Sequence, residues 1–408
     1  MTVSVAEHRA AVRQLVPRAP AGTLPLEECH GLVLAEDVTA GVALPPFDNS
    51  AMDGYAVRAS DIMAAGPQRP VRLPVAADIP AGRTDVPELV AGTAHRIMTG
   101  APVPRGADAV VRVEDTDAAT GTVAIHAAAE PGANIRRAGE DIARGARALT
   151  SGTVLGAAQL GLAAATGRDS LTVRLPPRVL VVSTGTELVT PPAPLADGQI
   201  YESNGVMLAA ALRGLGCRVE LMRAVSDDVA AFTEALTERA TAADLIVTSG
   251  GVSAGAYEVV KDALAGEHVT FTKVAMQPGG PQGCGTLHGV PIVTLPGNPV
   301  SVLVSYEVFL RPALLAALGH PKVERPTVRA RLLEPLKAPA GKRQFRRGHY
   351  TEHDDPRAAG ATTGTVEPRG GPGSHLLAAF TEANCLIVVA EDVTEVAEGE
   401  EVEVLLLD

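Results

Sequence analysis

Residues 176–319 alternate short apolar runs with amphipathic segments. Val179–Val182 and Leu245–Thr248 have the length and composition of buried strands. Between them, four apolar residues at the spacing i, i+3, i+4 and i+7 predict one face of a helix that ends at Gly216. These residues are Leu208, Ala211, Leu212 and Leu215. Strands that alternate with helices in this way predict an α/β fold with a doubly wound parallel sheet.

A further strand and helix complete this pattern. Pro291–Leu295 is apolar and leads into a long apolar segment. Asn298 is a favoured N-cap residue, and Pro299 fits the first helical position because its missing N–H is not needed there. The last helix of the α/β domain is therefore predicted to begin at this turn.

The two ends of the chain have different patterns of apolar and polar residues. After Pro326, the apolar residues Val328, Ala330 and Leu332 alternate with polar ones, which predicts a small, barrel-like β domain. In the first 175 residues Gly and Pro interrupt almost every periodic run, so this part is predicted to be irregular and mainly β. Helices are expected there at Ser4–Leu15 and Gly156–Thr166.

These changes of pattern divide the chain into four predicted domains. We expect an elongated N-terminal domain of residues 1–47 with 140–175, an inserted mainly-β domain of residues 48–139, an α/β domain of residues 176–325 and a C-terminal β domain of residues 326–408.

Composition excludes several classes of protein. The formal net charge of −12 disfavours a protein that binds nucleic acid through phosphate contacts, and six Phe, five Tyr and no Trp leave few platforms for stacking bases. Uninterrupted apolar runs are too short for a membrane span. The four cysteines are scattered, which disfavours a zinc site or a disulfide scaffold and favours a reducing, cytoplasmic setting.

Polar and glycine-rich segments follow the predicted strands at the point where each strand ends. Glu187 and Asp227 follow two of them, a run from Gly250 to Gly255 follows the third, and Glu258 lies just beyond it. Backbone N–H groups of a glycine-rich loop suit a phosphate, and carboxylates beside a phosphate require a hard cation such as Mg²⁺. The alternative is that the glycines form ordinary tight turns and the acids cap helices.

Other segments carry chemistry outside this rim. Pro45–Arg58 combines prolines, Asx-turn residues and a glycine, which is typical of a rigid binding loop. Arg96–Pro102 and Arg136–Ile142 are similar loops that composition alone assigns to turns. Arg346 and Arg347 either bind a phosphate or form a solvated face.

Five segments together resemble the signatures of one family. They are Pro46–Arg58, Arg96–Pro104, Gly139–Ile142, Gly250–Gly255 and Leu295–Ser301. In this order they resemble the molybdopterin molybdenumtransferases, the family that includes the E-domain of gephyrin, through nearly the whole chain.

The resemblance implies a substrate, a reaction and an assembly. It implies an elongated homodimer of four-domain subunits, with an active site across the subunit interface and the α/β domain binding adenylylated molybdopterin. Molybdate would be inserted into this substrate with Mg²⁺-dependent release of AMP, which yields the molybdenum cofactor. The molybdopterin adenylyltransferase is an expected partner, and neither nucleic acid nor a membrane is.

The resemblance also implies site residues. Those expected to be catalytic are Asp53, Thr99, Asp141, Glu187, Asp227, Glu258 and Lys273. Those expected to bind substrate or anions are Ser183, Gly185, Gly250, Gly251, Ser253, Gly255, Pro296, Gly297, Asn298, Arg347 and Ser374. Glu187 and Asp227 would hold the metal, while Lys273 and Arg347 would neutralise oxyanions and Ser374 would supply a hydroxyl. Asp53, Thr99 and Asp141 would face the α/β rim of the other subunit.

Four positions depart from the family pattern. Thr186 and Glu258 each stand where the family has Asp, and Gln277 and Gly280 stand where it has Lys. Two missing cations would weaken anion binding by several orders of magnitude if nothing replaces them, and the missing Asp at Thr186 offsets part of this in net charge.

These departures leave three hypotheses. The first is an active molybdenumtransferase. The second is a divergent, weakly active or non-catalytic paralog that binds molybdopterin nucleotide or acts as a scaffold. The third is a nucleotide-dependent adenylyltransferase, which the N-terminal 175 residues and the C-terminal β domain argue against.

Overall fold

A computed structural model describes residues 2–224, 229–251, 259–264, 266–353 and 364–407. A seven-stranded sheet dominates the α/β domain. Its spatial order is Thr2–Val3, His268–Val274, Pro281–Leu287, Val290–Leu295, Leu245–Ser249, Arg178–Thr184 and Arg218–Ala224. The last four strands are parallel to one another, as predicted, so their carboxyl ends share one rim. Pro281–Leu287 runs antiparallel because a two-residue turn at His288 and Gly289 joins it to the next strand as a hairpin.

Helices cover the faces of this sheet. They are Asn204–Gly214, Val229–Ala240, Val259–Ala263, Pro299–Ser305 and Arg311–Ala317, with a π-helical turn at Tyr306–Leu310 between the last two. Val181, Val247 and Val293 on the central strands are fully buried beneath them. The segment Pro299–Ala317 is long and apolar enough to cross a membrane, but 78% of it is buried inside the structure, which is typical of a core helix.

The N-terminal unit is built from short paired segments. Ala21–Pro25 pairs with Ser170–Arg174, and Val38–Thr39 pairs with Arg147–Leu149. The helix Ala157–Ala165 packs beside them.

The first helix, Val5–Leu15, begins at Ser4, which forms a capping box with Glu7. Val5 and Val12 pack in the hydrophobic core of the α/β domain, together with Phe309. The first residues of the chain therefore complete the α/β core, a feature that the predicted domain division did not include. The division itself stays a prediction.

The inserted domain is a five-stranded sheet. Its spatial order is Ala109–Arg112, Gly54–Val57, Ala94–Ile97, Val71–Ile79 and Thr122–Ile125. Tyr55 and Ile125 are fully buried in its core. Asn49–Ser50 pairs with Ile135–Arg136, which places the Pro45–Arg58 and Arg136–Ile142 loops side by side.

The C-terminal domain is a closed barrel of five strands, as the alternation of apolar residues predicted. The strands are Arg343–Glu352, Gly364–Pro368, Thr327–Leu332, Glu401–Leu406 and Cys385–Val389, and the last pairs with the first. Shorter elements are Leu336–Lys337, Glu395–Val396 and the helix Ala378–Thr381. Met276–Gln277 from the α/β domain pairs with Arg343–Gln344, so the two domains share a sheet edge.

Candidate functional site

A cavity of about 950 Å³ lies at the carboxyl ends of the parallel strands. Four segments of the α/β domain line it, and Pro372 and Ser374 of the barrel complete it. The α/β segments are 184–188, 200–204, 249–251 and 296–299, joined by residues around Gln277. Ligands of open α/β sheets bind at this edge, which identifies the cavity as the candidate active site.

Glu187 lies on the wall of this cavity and is exposed. Its carboxylate folds over Gly185, where a Cβ atom would come within 2.5 Å of Glu187 Oε2. A side chain at position 185 would therefore displace this carboxylate from its present position. Thr186 is exposed beside it and also lines the cavity.

Gly250 and Gly251 adopt positive φ angles of 91° and 67°. A Cβ at Gly250 would lie 2.9 Å from the carbonyl oxygen of Thr184, and one at Gly251 would lie 2.7 Å from Val260 Cγ2. The N–H of Gly250 donates to the carbonyl of Leu295 at 3.1 Å, so it does not point inward as the predicted anion cradle requires. These two glycines instead allow neighbouring strand ends to approach closely.

Glu202 is a cavity residue that the sequence did not indicate. The residue is 4% exposed, and its Oε1 accepts hydrogen bonds from Ser183 Oγ at 2.9 Å and from the backbone N–H of Gly205 at 2.6 Å. Arg223 Nε lies 3.8 Å from the other carboxylate oxygen, Oε2, and no residue that the structure describes donates a hydrogen bond to this oxygen. The acid therefore anchors Ser183 and stabilises the first turn of the helix Asn204–Gly214.

The Pro296–Pro299 turn connects the α/β domain to the barrel. Asn204 Nδ2 donates to the carbonyl of Gly297 at 2.7 Å, which fixes the turn from one side. Asn298 stands at the predicted N-cap position, but its side chain donates to Ser374 Oγ at 2.9 Å instead of capping the helix. Because Ser374 Oγ accepts this bond, its hydroxyl hydrogen is left to donate to a ligand.

Arg347 holds the loop that carries Ser374. The residue is 4% exposed, and its guanidinium donates to the carbonyls of Arg369, Gly371 and Gly373. Burial lowers the pKa of this guanidinium. Three of its five N–H donors are used on backbone carbonyls, so Arg347 shapes the loop; the neutralisation of an oxyanion that the resemblance implied stays a prediction.

The described wall of the cavity carries no cationic side chain. Lys273 is exposed on a neighbouring strand and does not line the cavity. Gln277 lines it, and its Oε1 accepts a hydrogen bond of 2.7 Å from Gln344 Nε2. Glu187 and Glu202 are the only charged residues on the cavity wall within the described ranges, so the wall is negative.

Asp53 and Thr99 lie together, Asp141 lies on the loop that follows Ile135–Arg136, and none of the three belongs to the described lining of the cavity. Asp53 Oδ1 accepts from the backbone N–H and the hydroxyl of Thr99, both at 2.7 Å. These bonds lower the pKa of Asp53. Asp141 is held through its backbone N–H by the carbonyl of Leu44 at 3.0 Å.

Four predicted site residues lie outside the described ranges: Asp227, Ser253, Gly255 and Glu258. Within those ranges, no group of three or more His, Cys, Asp or Glu side chains is arranged to hold a metal ion.

Family models match three consecutive parts of the chain. The MoeA N-terminal region (domain I and II) matches residues 3–167, the probable molybdopterin binding domain matches residues 180–316, and the MoeA C-terminal region (domain IV) matches residues 329–407. The cavity lies mainly in the second part and is completed by the third.

Similarity to known proteins extends over the full length. Molybdopterin molybdenumtransferase 2 of Mycobacterium tuberculosis is 54% identical over 98% of each chain, and the Haemophilus influenzae molybdopterin molybdenumtransferase is 37% identical over 93% of this chain and 92% of the relative. A MoeA crystal structure from Pyrococcus horikosii has a TM-score of 0.83 and 32% identity, covering 100% of both chains. These matches do not favour the scaffold alternative. The chain belongs to the molybdopterin molybdenumtransferase family and is an enzyme of molybdenum cofactor biosynthesis.

Proposed function

We propose that the enzyme inserts molybdate into adenylylated molybdopterin and releases AMP. The observation that carries this proposal is the cavity at the strand ends of the molybdopterin-binding domain, with Glu187 on its wall and Ser374 at its edge. Its volume of about 950 Å³ lies at the upper end of the range for organic ligands, as a pterin nucleotide requires. The names of the relatives in Mycobacterium tuberculosis and Haemophilus influenzae agree with this activity.

The negative wall suggests how the anionic substrate is accommodated. Glu187 and Glu202 offer only oxygen atoms, and Oε2 of Glu202 accepts no hydrogen bond from the described residues, so this donor set fits a hard cation such as Mg²⁺. Glu187 is the proposed ligand, together with Asp227. Bound there, Mg²⁺ would neutralise phosphate charge and polarise the phosphorus–oxygen bond to AMP.

The chain's own residues supply the remaining interactions. Ser374 is oriented by Asn298 to donate its hydroxyl hydrogen to an oxyanion, which is either phosphate or the incoming molybdate. Arg347 keeps Ser374 in place through the carbonyls of its loop. Glu202 fixes Ser183 and the helix start beneath the cavity. The cavity is therefore preorganised by hydrogen bonds among its walls.

Completion of the site requires a second subunit in this proposal. Asp53, Thr99 and Asp141 do not reach the cavity of their own chain. Large apolar side chains are exposed in both places: Phe47 and Met52 in the Pro45–Arg58 segment that carries Asp53, and Ile200 and Tyr201 in the cavity lining. Exposed apolar patches mark interaction surfaces, which supports a homodimer with the active site across its interface.

The supply of substrate and the location are also proposed. Adenylylated molybdopterin is the product of an adenylyl transfer, so a molybdopterin adenylyltransferase is the proposed supplier and partner. A cytoplasmic location is proposed because Cys29, Cys217, Cys284 and Cys385 are all free thiols, as expected in a reducing compartment.

AMP release tests the activity directly. Purified enzyme mixed with adenylylated molybdopterin, molybdate and Mg²⁺ should release AMP, and a Glu187→Ala variant should not. Sedimentation of the wild type should give the mass of a dimer. AMP release that does not exceed the Glu187→Ala control, while both proteins bind AMP in calorimetry, would show a binding protein and overturn the proposed reaction.

A further inference from the structure

A second cavity, of about 520 Å³, lies at the opposite end of the parallel strands. The first residues of three strands line it: Arg178–Thr184, Arg218–Ala224 and Leu245–Ser249. It shares no lining residue with the first cavity. A ligand here would therefore occupy a site separate from the proposed active site.

Both connections between the N-terminal unit and the α/β domain form its walls. Backbone hydrogen bonds fix these connections: Ala19 N–H donates to the carbonyl of Ala317 at 2.9 Å, and Leu175 N–H donates to that of Pro20 at 2.9 Å. Arg218 N–H donates to the carbonyl of Pro177 at 3.0 Å. The cavity is thus preformed, so binding would require little ordering of the chain.

The walls are apolar and poor in hydrogen-bond donors. Five prolines contribute, and proline has no backbone N–H. They are Pro17, Pro20, Pro176, Pro177 and Pro291. Leu24, Leu175 and Val290 add aliphatic surface. An apolar part of a ligand fits these walls, because a polar group there would lose its hydrogen bonds to water and gain none from the protein.

Three arginines and Asp244 are the charged lining residues within the described part of the chain, so the net charge of the lining is positive. Of the three arginines that line the cavity, Arg178 is paired with Asp244 at 3.0 Å. Arg18 and Arg218 are exposed, and within the described part of the chain neither guanidinium has an ion pair or a hydrogen bond. A guanidinium group binds a carboxylate through two parallel hydrogen bonds.

We propose that this cavity binds a small amphipathic carboxylate. Its alkyl body would fill the proline-lined interior, and its carboxylate would lie at the rim between Arg18 and Arg218. The volume is within the usual range for small-molecule sites. The proposal does not depend on the proposed reaction, because the two cavities are separate.

Calorimetry with decanoate on the full-length enzyme tests this site. We expect one decanoate per chain. Arg18→Gln/Arg218→Gln should bind about 100-fold or more weakly, since it removes two charge-assisted contacts that are each worth about tenfold or more. Arg13→Gln, an exposed arginine outside the cavity, is the matched control and should bind as the wild type does. Decyltrimethylammonium has the same alkyl chain with the opposite charge and should not bind.

A second variant tests the interior rather than the rim. Ala243 lines the cavity, so Ala243→Phe should fill it and abolish decanoate binding while circular dichroism stays unchanged. Saturating AMP with Mg²⁺ should not displace decanoate. The proposal is overturned if the wild type does not bind decanoate, if the double arginine variant binds it equally well, or if the cationic analogue binds as tightly.

Discussion

Replacing Gln277 by lysine tests whether the missing cations limit anion binding. Gln277 lines the active-site cavity, and its only described side-chain hydrogen bond is the one from Gln344. Gln277→Lys removes that acceptor, which costs about 1 kcal/mol of folding stability. A lysine ammonium that reaches a phosphate contributes about 1.5–3 kcal/mol to binding, which corresponds to roughly 10- to 150-fold tighter AMP binding.

AMP binding measured by calorimetry in EDTA isolates this charge from that of the metal. Gln277→Met is the matched control. It removes the same hydrogen-bond acceptor, and the methionine side chain is nearly as long as lysine but carries no charge. A second lysine at Gly280 is sterically feasible, since a Cβ there lies 3.4 Å from its nearest neighbour, the carbonyl oxygen of Val274. If Gln277→Lys and Gln277→Met bind AMP equally without metal, the charge of the cavity wall does not limit affinity and the electrostatic reasoning is wrong.

Three further predictions concern buried polar residues and are measured by urea unfolding. Burial lowers the pKa of His8 to about 4, against about 6.5 in the unfolded chain, so stability present above pH 6.5 should fall by about 3 kcal/mol as the pH falls to 4. His8→Leu should remove that part of the pH dependence, and an identical pH profile would contradict this. Arg347→Met should lower the free energy of unfolding by at least about 2 kcal/mol, because it leaves carbonyl groups without donors. A loss below about 0.5 kcal/mol, which is typical of a surface substitution, would refute the role of Arg347 in the loop. Glu202→Gln should cost about 1–2 kcal/mol and Glu202→Ala more, and the reverse order would contradict the role of Oε1 as an acceptor.

The sequence predicted the elements whose pattern is local. The strand Arg178–Thr184 follows from consecutive apolar residues, and the helix start at Pro299 follows from the residue types of its first turn. The closed barrel follows from alternation in Thr327–Leu332 and its neighbours. These signals depend on a few adjacent residues, so they survive without knowledge of the tertiary structure.

Interactions between distant segments were not predictable in this way. A buried glutamate such as Glu202 has no periodic signature, because its burial depends on Ser183 and Gly205 in three dimensions. The donors of Arg347 are directed at a loop more than twenty residues away, and the sequence indicates the charge but not its partner. The packing of Val5 and Val12 against the α/β core is likewise set by contacts almost three hundred residues apart, such as the one between Arg9 and Val308.

The bond between Asn298 and Ser374 has a consequence for synthesis of the enzyme. The two residues are 76 positions apart, and every parallel strand of the central sheet precedes Asn298 in the chain. Domains generally fold in order as the ribosome makes them, so the sheet can form before the segment that closes the pocket has been translated. A polypeptide that ends between Ala317 and Ser374 would therefore contain the α/β walls of the cavity but lack the serine that completes it.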